Sequence, residues 1–135
     1  MNFTAIQAIL DTQLKTVVGL PTLQLENTQN VGITGKAFSR ATLLPARSYQ
    51  MNVGPGGTMQ LLGLYQIDLF YPINTGVSTI NAMVDAVIAA FPKGFLTDAD
   101  GVVVQIDVSW RETGRRVEQF YSVPVAVSWT CIRPA

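Results

Sequence analysis

The chain has no histidine and one cysteine, Cys131, among its 135 residues. Lack of His removes the commonest general base and the commonest transition-metal ligand. A lone Cys excludes an intrachain disulfide and a thiolate cluster for zinc. Charge is scarce as well. Lys and Arg total 9, Asp and Glu total 9, and charged residues form 13% of the chain, about half the usual share. With no surplus of basic residues, binding to a nucleic-acid backbone has no bulk electrostatic source. Long apolar runs are missing too: Gln66, Asp68 and Asp85 interrupt the densest stretches, so none reaches the roughly 18 residues of a membrane span. Met1-Asn2-Phe3-Thr4 has no basic segment of the kind that opens a secretory leader. The expected setting is therefore a reducing cytoplasm, where the Asn2-Phe3-Thr4 glycosylation pattern is a chance match.

What is present is apolar: 48% of residues are hydrophobic. That is ample material for one folded domain spanning 1–135, with no linker, repeat or low-complexity run. A surface so weakly charged favours self-association.

Hydrophobic periodicity predicts a helix over Phe3–Val18, with Ile6, Ile9, Leu10, Leu14, Val17 and Val18 on its apolar face. Asn2 is its expected cap, and Gly19 with Pro21 its stop. Strands are predicted at Leu23–Glu26, Phe38–Leu44 and Leu61–Tyr71. In the last, Leu61, Tyr65, Ile67, Leu69 and Tyr71 form the more apolar side and are expected to face the core. Between them, Arg47–Gln60 has no period and centres on Gly54-Pro55-Gly56-Gly57, which predicts a long, mobile excursion. A second helix is expected over Ser78–Phe91, capped by Ser78 or Thr79, with Ile80, Met83, Val84, Val87, Ile88 and Phe91 inward. Strands then follow at Phe95–Thr97, Val102–Trp110 and Phe120–Cys131. Val104, Ile106, Val108 and Trp110 are expected on one face, Glu112–Arg116 as a hairpin turn, and Pro124 at an edge or bulge. The order α-β-β-β-α-β-β-β predicts an α+β fold: a mainly antiparallel sheet with both helices on one face.

The motifs carry little chemistry. Gly54-Pro55-Gly56-Gly57 lacks the strand-to-helix setting and the Lys-Ser/Thr of a phosphate loop, and Gly35-Lys36 is followed by Ala37. Asp98-Ala99-Asp100-Gly101 has Val103 and Ser109 where a calcium loop needs Gly and Glu, so it reads as a turn. No Ser is placed beside Lys15, Lys36 or Lys93 to form a dyad. Cys131, on an apolar strand, reads as a buried hydrophobe. No catalytic, metal or cofactor residues are expected. Arg111, Arg115 and Arg116 form the only basic cluster, interleaved with Glu112 and Glu118, and are either a contact patch or a solvated hairpin tip. Apolar groups on both sides of Leu61–Tyr71 and of Val117–Trp129 leave one sheet face without helix cover, and that face is expected to need a partner.

One series of short motifs runs along most of the chain: Ala5-Ile6, then Gly19-Leu20-Pro21, then Leu25-Glu26-Asn27. Gly54-Pro55-Gly56-Gly57 precedes Gly63-Leu64-Tyr65-Gln66-Ile67-Asp68-Leu69-Phe70-Tyr71-Pro72. Phe91-Pro92-Lys93-Gly94 and Phe120-Tyr121-Ser122-Val123-Pro124-Val125 complete it. In order and spacing it resembles a family of small tail-terminator-like proteins of long-tailed bacteriophages, relatives of the lambda-type tail terminator. The resemblance implies a non-enzymatic virion protein, assembled in the bacterial host cytoplasm and placed at the neck-proximal end of the tail. It implies a hexameric ring that caps the tail tube, stops its polymerisation and receives the head-completion and neck proteins. DNA would pass through the pore without sequence-specific binding, and no membrane would be involved. Arg47, Gly54, Pro55, Gly56, Gly57, Arg111, Arg115 and Arg116 are the candidate contact residues. Alternatives are another neck or tail-tube component or, in a different class, a small-molecule-binding α+β regulatory domain.

Overall fold

The computed structural model describes residues 3–24, 36–46, 49–50, 58–97 and 101–134. The predicted cap Asn2 and the residues of the Asp98–Asp100 turn lie outside them. Helix α1 spans Phe3–Leu14 and buries Ile6, Ile9, Leu10 and Leu14, which recur at helical spacing. It stops earlier than expected. Thr16 and Val17 donate to the carbonyls of Gln13 and Leu14, so the last turn tightens to three-residue bonds and the helical phase is lost. Val18 consequently swings out and is 91% exposed, not inward as its spacing predicts. Gly19, at φ 81, then reverses the chain.

Short β1 (Thr22–Gln24) is followed by β2 (Phe38–Pro45), β3 (Tyr49–Gln50) and β4 (Thr58–Pro72). Helix α2 covers Val77–Ala90 and buries Ile80, Val84 and Val87. Its cap is Gly76, at φ 88, and no side chain caps it. The expected caps Ser78 and Thr79 lie within the first turn instead. Then come β5 (Gly94–Thr97), β6 (Val103–Arg111), β7 (Arg115–Val117) and β8 (Phe120–Pro134). The predicted order is met, with β3 and β7 as two additional short strands.

The sheet order is β1-β2-β4-β8-β6-β5, with β3 on β4 and β7 on β8. Every pairing is antiparallel except β1 with β2, so the sheet is mixed. Its spine is β4 against β8, in unbroken register from Thr58↔Pro134 to Pro72↔Phe120. Both helices cover one face. There Tyr65, Ile67 and Leu69 of β4 and Val123, Val125, Val127 and Trp129 of β8 pack with the helices' apolar sides in a single core. Each buried Val, Leu or Ile among them contributes about 1.5–3 kcal/mol relative to exposure. Polar clasps fix the layers. The Tyr65 hydroxyl donates to Asp11 Oδ1 on α1, Gln13 Nε2 donates to the Ala90 carbonyl, and Ser109 Oγ donates to the Phe91 carbonyl.

Two expectations fail on β6 to β8 for connected reasons. Ile106 pairs with Trp129 and Val108 with Ser128, so the register slips at Asp107. A bulge adds one residue and inverts the alternation. Val104 and Ile106 are buried, but Val108 is 54% exposed and Trp110 follows it to the opposite face. Nor is Glu112–Arg116 a hairpin turn. β6 and β7 both pair with the same edge of β8, so residues 112–114 interrupt one long bent strand, and the reversal falls at Glu118, at φ 53. Pro124 stands beside the interruption. It lies in a central strand, not at an edge, and its carbonyl accepts from Glu112 N at 2.9 Å. Amide and carbonyl of one strand residue point the same way, so the donor that Pro124 lacks would face the gap.

Candidate interaction surface

Antiparallel partners share a face, so the register assembles the side of the sheet away from the helices. Phe38 lies opposite Phe70, Arg40 opposite Asp68, and Leu44 opposite Leu64. Across β8, Phe70 meets Ser122, Gln66 meets Ala126, and Leu62 meets Thr130. Trp110 of β6 lies opposite Ala126, and Arg115 of β7 opposite Ser122.

At one end of this face, where β2 and β8 begin and β4 ends, is an aromatic cluster. Phe38 and Phe70 stack with centroids 4.4 Å apart and planes at 8°. Phe120 meets Phe38 edge-on at 5.2 Å and 86°. The Arg40 guanidinium lies 5.2 Å from the Phe70 centroid, a cation–π contact. Around the cluster is an open groove of about 590 Å³, lined in part by Asp68, Arg115 and Glu118. Several polar side chains on this face pair with one another. Gln66 Nε2 donates to Asp68 Oδ1 at 2.9 Å, Thr130 Oγ1 donates to Asp107 Oδ2 at 2.9 Å, and Trp110 Nε1 donates to Glu112 Oε1 at 2.7 Å.

Of the candidate contact residues, Arg47 and Gly54 to Gly57 lie outside the described residues. The Arg47–Gln60 excursion is bracketed by a β pair, Tyr49↔Gln60 and Gln50↔Met59. The three remaining arginines are exposed but do not form one patch. Arg115 and Arg116 are adjacent on a strand and point to opposite faces. Arg115 lines the aromatic groove. Arg116 lines a separate pocket of about 320 Å³ with Ile73, Val77 and Ile80 at the start of α2. Arg111 pairs with Val125 at the end of β6. The Phe38–Phe70–Phe120 cluster was not legible in the sequence, because it depends on the pairing register. The available signal was Phe70 on the less apolar side of β4.

Burial pushes the Tyr71 phenol above its ordinary value. Among the described residues, no group of His, Cys, Asp and Glu is placed to hold a metal ion, and no helix is long and apolar enough to cross a membrane.

Several solved structures share the fold, among them two that match over nearly the whole chain. One matches with a TM-score of 0.73 at 18% identity, covering 97% of this chain and 96% of its own. The other, from the virion of a native gene transfer agent particle, matches with a TM-score of 0.61 at 18% identity, covering 97% of each chain. No curated protein matches the sequence. A model of the family described as phage tail terminator protein matches residues 5–129, a span that runs from the first turn of α1 to Trp129 near the end of β8. The chain therefore belongs to the phage tail terminator family, structural proteins of the virion tail.

Proposed function

We propose that this protein forms a closed ring, a hexamer, that caps the phage tail tube when the tube reaches its set length. The ring stops further polymerisation and offers its outer surface to head-completion and neck proteins. It sits at the neck-proximal end of the tail, is assembled in the host cytoplasm, and lets DNA pass without reading its sequence. No catalytic step is involved. The observation that carries this reading is the family match across nearly the whole fold. The sheet face opposite the helices, open among the described residues, supports it physically. A ring repeats one heterologous contact until it closes, and a weakly charged surface limits the desolvation cost of that contact. Arg111, Arg115, Arg116, Arg47 and Gly54 to Gly57 are proposed contact positions toward neighbouring subunits, tube or neck.

The test is electron microscopy of the purified protein and of tails assembled without it. Closed single rings and overlong tubes are expected. Stacked tubes formed by the protein alone would instead identify a tube component.

A further inference from the structure

We propose that the helix-free face of the sheet is the ring contact, and that its occupant is the helix layer of a second copy of this chain. The inference rests on the ring-forming reading and names the two surfaces that would close the ring.

Three observations support the sheet face. First, Leu44, Phe95, Val103 and Val108 are large apolar side chains exposed by 39–71%, and the register places all four on this side. Second, part of the polar surface of this face is already paired. One oxygen of each of the Asp68, Asp107 and Glu112 carboxylates accepts a hydrogen bond from a neighbour, which lowers the cost of covering it. Third, the size is right. Six strands holding 54 residues, about 4.8 Å apart and rising about 3.3 Å per residue, give a footprint of about 850 Å². A standard interface takes roughly 800 Å² from each partner.

The choice of occupant comes from the opposite side of the molecule. A solvated helix layer normally carries Lys and Glu outward. Here α1 and α2 hold one charged residue each, Asp11 and Asp85. Asp11 is engaged by Tyr65. The outward positions Thr4, Ala8, Ala82 and Ala89 are small and exposed. This layer is therefore low in charge, whereas the sheet face carries Arg40, Asp68, Arg115 and Glu118 around its groove. Asp85, its exposed carboxylate, is opposite in sign to Arg115 at the mouth of the aromatic groove. Two unlike, complementary surfaces on one chain are what a heterologous contact requires.

The test uses two exposed-site variants of the full chain, Val108→Arg on the sheet face and Ala82→Arg on α2, with circular dichroism to verify folding. Each alone should fall from ring to monomer in light scattering. Mixed one to one, they should form a dimer that stops there, because the intact helix layer of the first meets the intact sheet face of the second. Persistence of rings in either variant overturns the inference and leaves the ring reading intact. So does failure of the mixture to dimerise. Rings that form normally in Val108→Arg but no longer cap tubes would assign the sheet face to the tube protein, also against the inference. A wild-type protein that forms no ring overturns both. If either variant is unfolded, Leu44→Arg and Ala89→Arg replace the pair, with the same outcomes.

Discussion

Among the described glycines, Gly63 is the one whose backbone surroundings are least able to accept a single added methyl group. It sits in β4 opposite Pro45 of β2 and Trp129 of β8. A Cβ built there would lie 2.4 Å from the Leu44 carbonyl oxygen, 2.9 Å from Pro45 Cα and 3.1 Å from Ala46 N. All three are backbone atoms, so no rotamer change relieves the clash. An ordinary carbon–oxygen contact requires the end of β2 to move away by about 1 Å. That motion pulls directly on the bond from Ala46 N to the Leu62 carbonyl, now 2.8 Å. Overpacking costs about 1–3 kcal/mol, and a weakened hydrogen bond adds about 1 kcal/mol. Gly63→Ala is therefore expected to lose about 2–4 kcal/mol. Gly76→Ala is the comparison: nothing lies within 4 Å of its added Cβ, but its backbone, at φ 88 and ψ 159, is in a region that glycine alone adopts readily, for about 1–3 kcal/mol. Urea unfolding of both variants is compared at one protomer concentration, since ring assembly also shifts apparent stability, and exchange at Ala46 distinguishes the clash from backbone strain. Hydrogen exchange at Ala46 should accelerate in the Gly63 variant. A loss below about 0.5 kcal/mol, which is the scale of an ordinary surface substitution, would refute the close-approach argument.

Other outcomes follow from the same geometry. Pro124→Ala should change stability by no more than about 1 kcal/mol, mostly through the unfolded chain, because the restored N–H faces the 112–114 interruption; a larger loss in urea unfolding would show that the ring of Pro124 is needed for packing. Tyr71 has a native phenol pKa raised above its ordinary 10.0 by burial. The unfolded state then loses this proton first, so its contribution is intact below pH 10 and is lost as pH rises through the native value. Urea midpoints should fall more steeply above pH 10 in the wild type than in Tyr71→Phe; parallel curves would contradict this. Tyr65→Phe removes the bond to Asp11 and should cost about 1.5–3 kcal/mol, as bonds to charged groups do, measured by thermal unfolding against the wild type. Cys131 is 1% exposed, so a thiol reagent should label it only at the rate of opening; immediate labelling of the native protein would place it at the surface.

The helices and the core side of β4 were readable because periodicity reports burial directly. Tyr65, Ile67 and Leu69 alternate in sequence and lie fully buried. Val18 shows the limit of that reading. Spacing continues to look helical after the backbone has tightened, and only the bonds at Thr16 and Val17 reveal the change. The bulge at Asp107 is a pairing event between distant strands, so alternation within β6 gave no warning that Val108 and Trp110 change sides. Pro124 signalled an irregularity correctly, but the irregularity is in the strand beside it. The aromatic cluster needs residues separated by up to 82 positions, Phe38 and Phe120, and no local pattern joins them. The lack of charge was visible from composition. That the helix layer holds so little of the charge, and the sheet face more, became visible only with the fold.

The most direct test of tube capping is to add purified protein to polymerising tail tubes and follow tube length by electron microscopy. Growth should stop, with one ring at the end of each tube and no protein along its wall. Continued elongation, or incorporation of the protein throughout the tube, would contradict a terminator role.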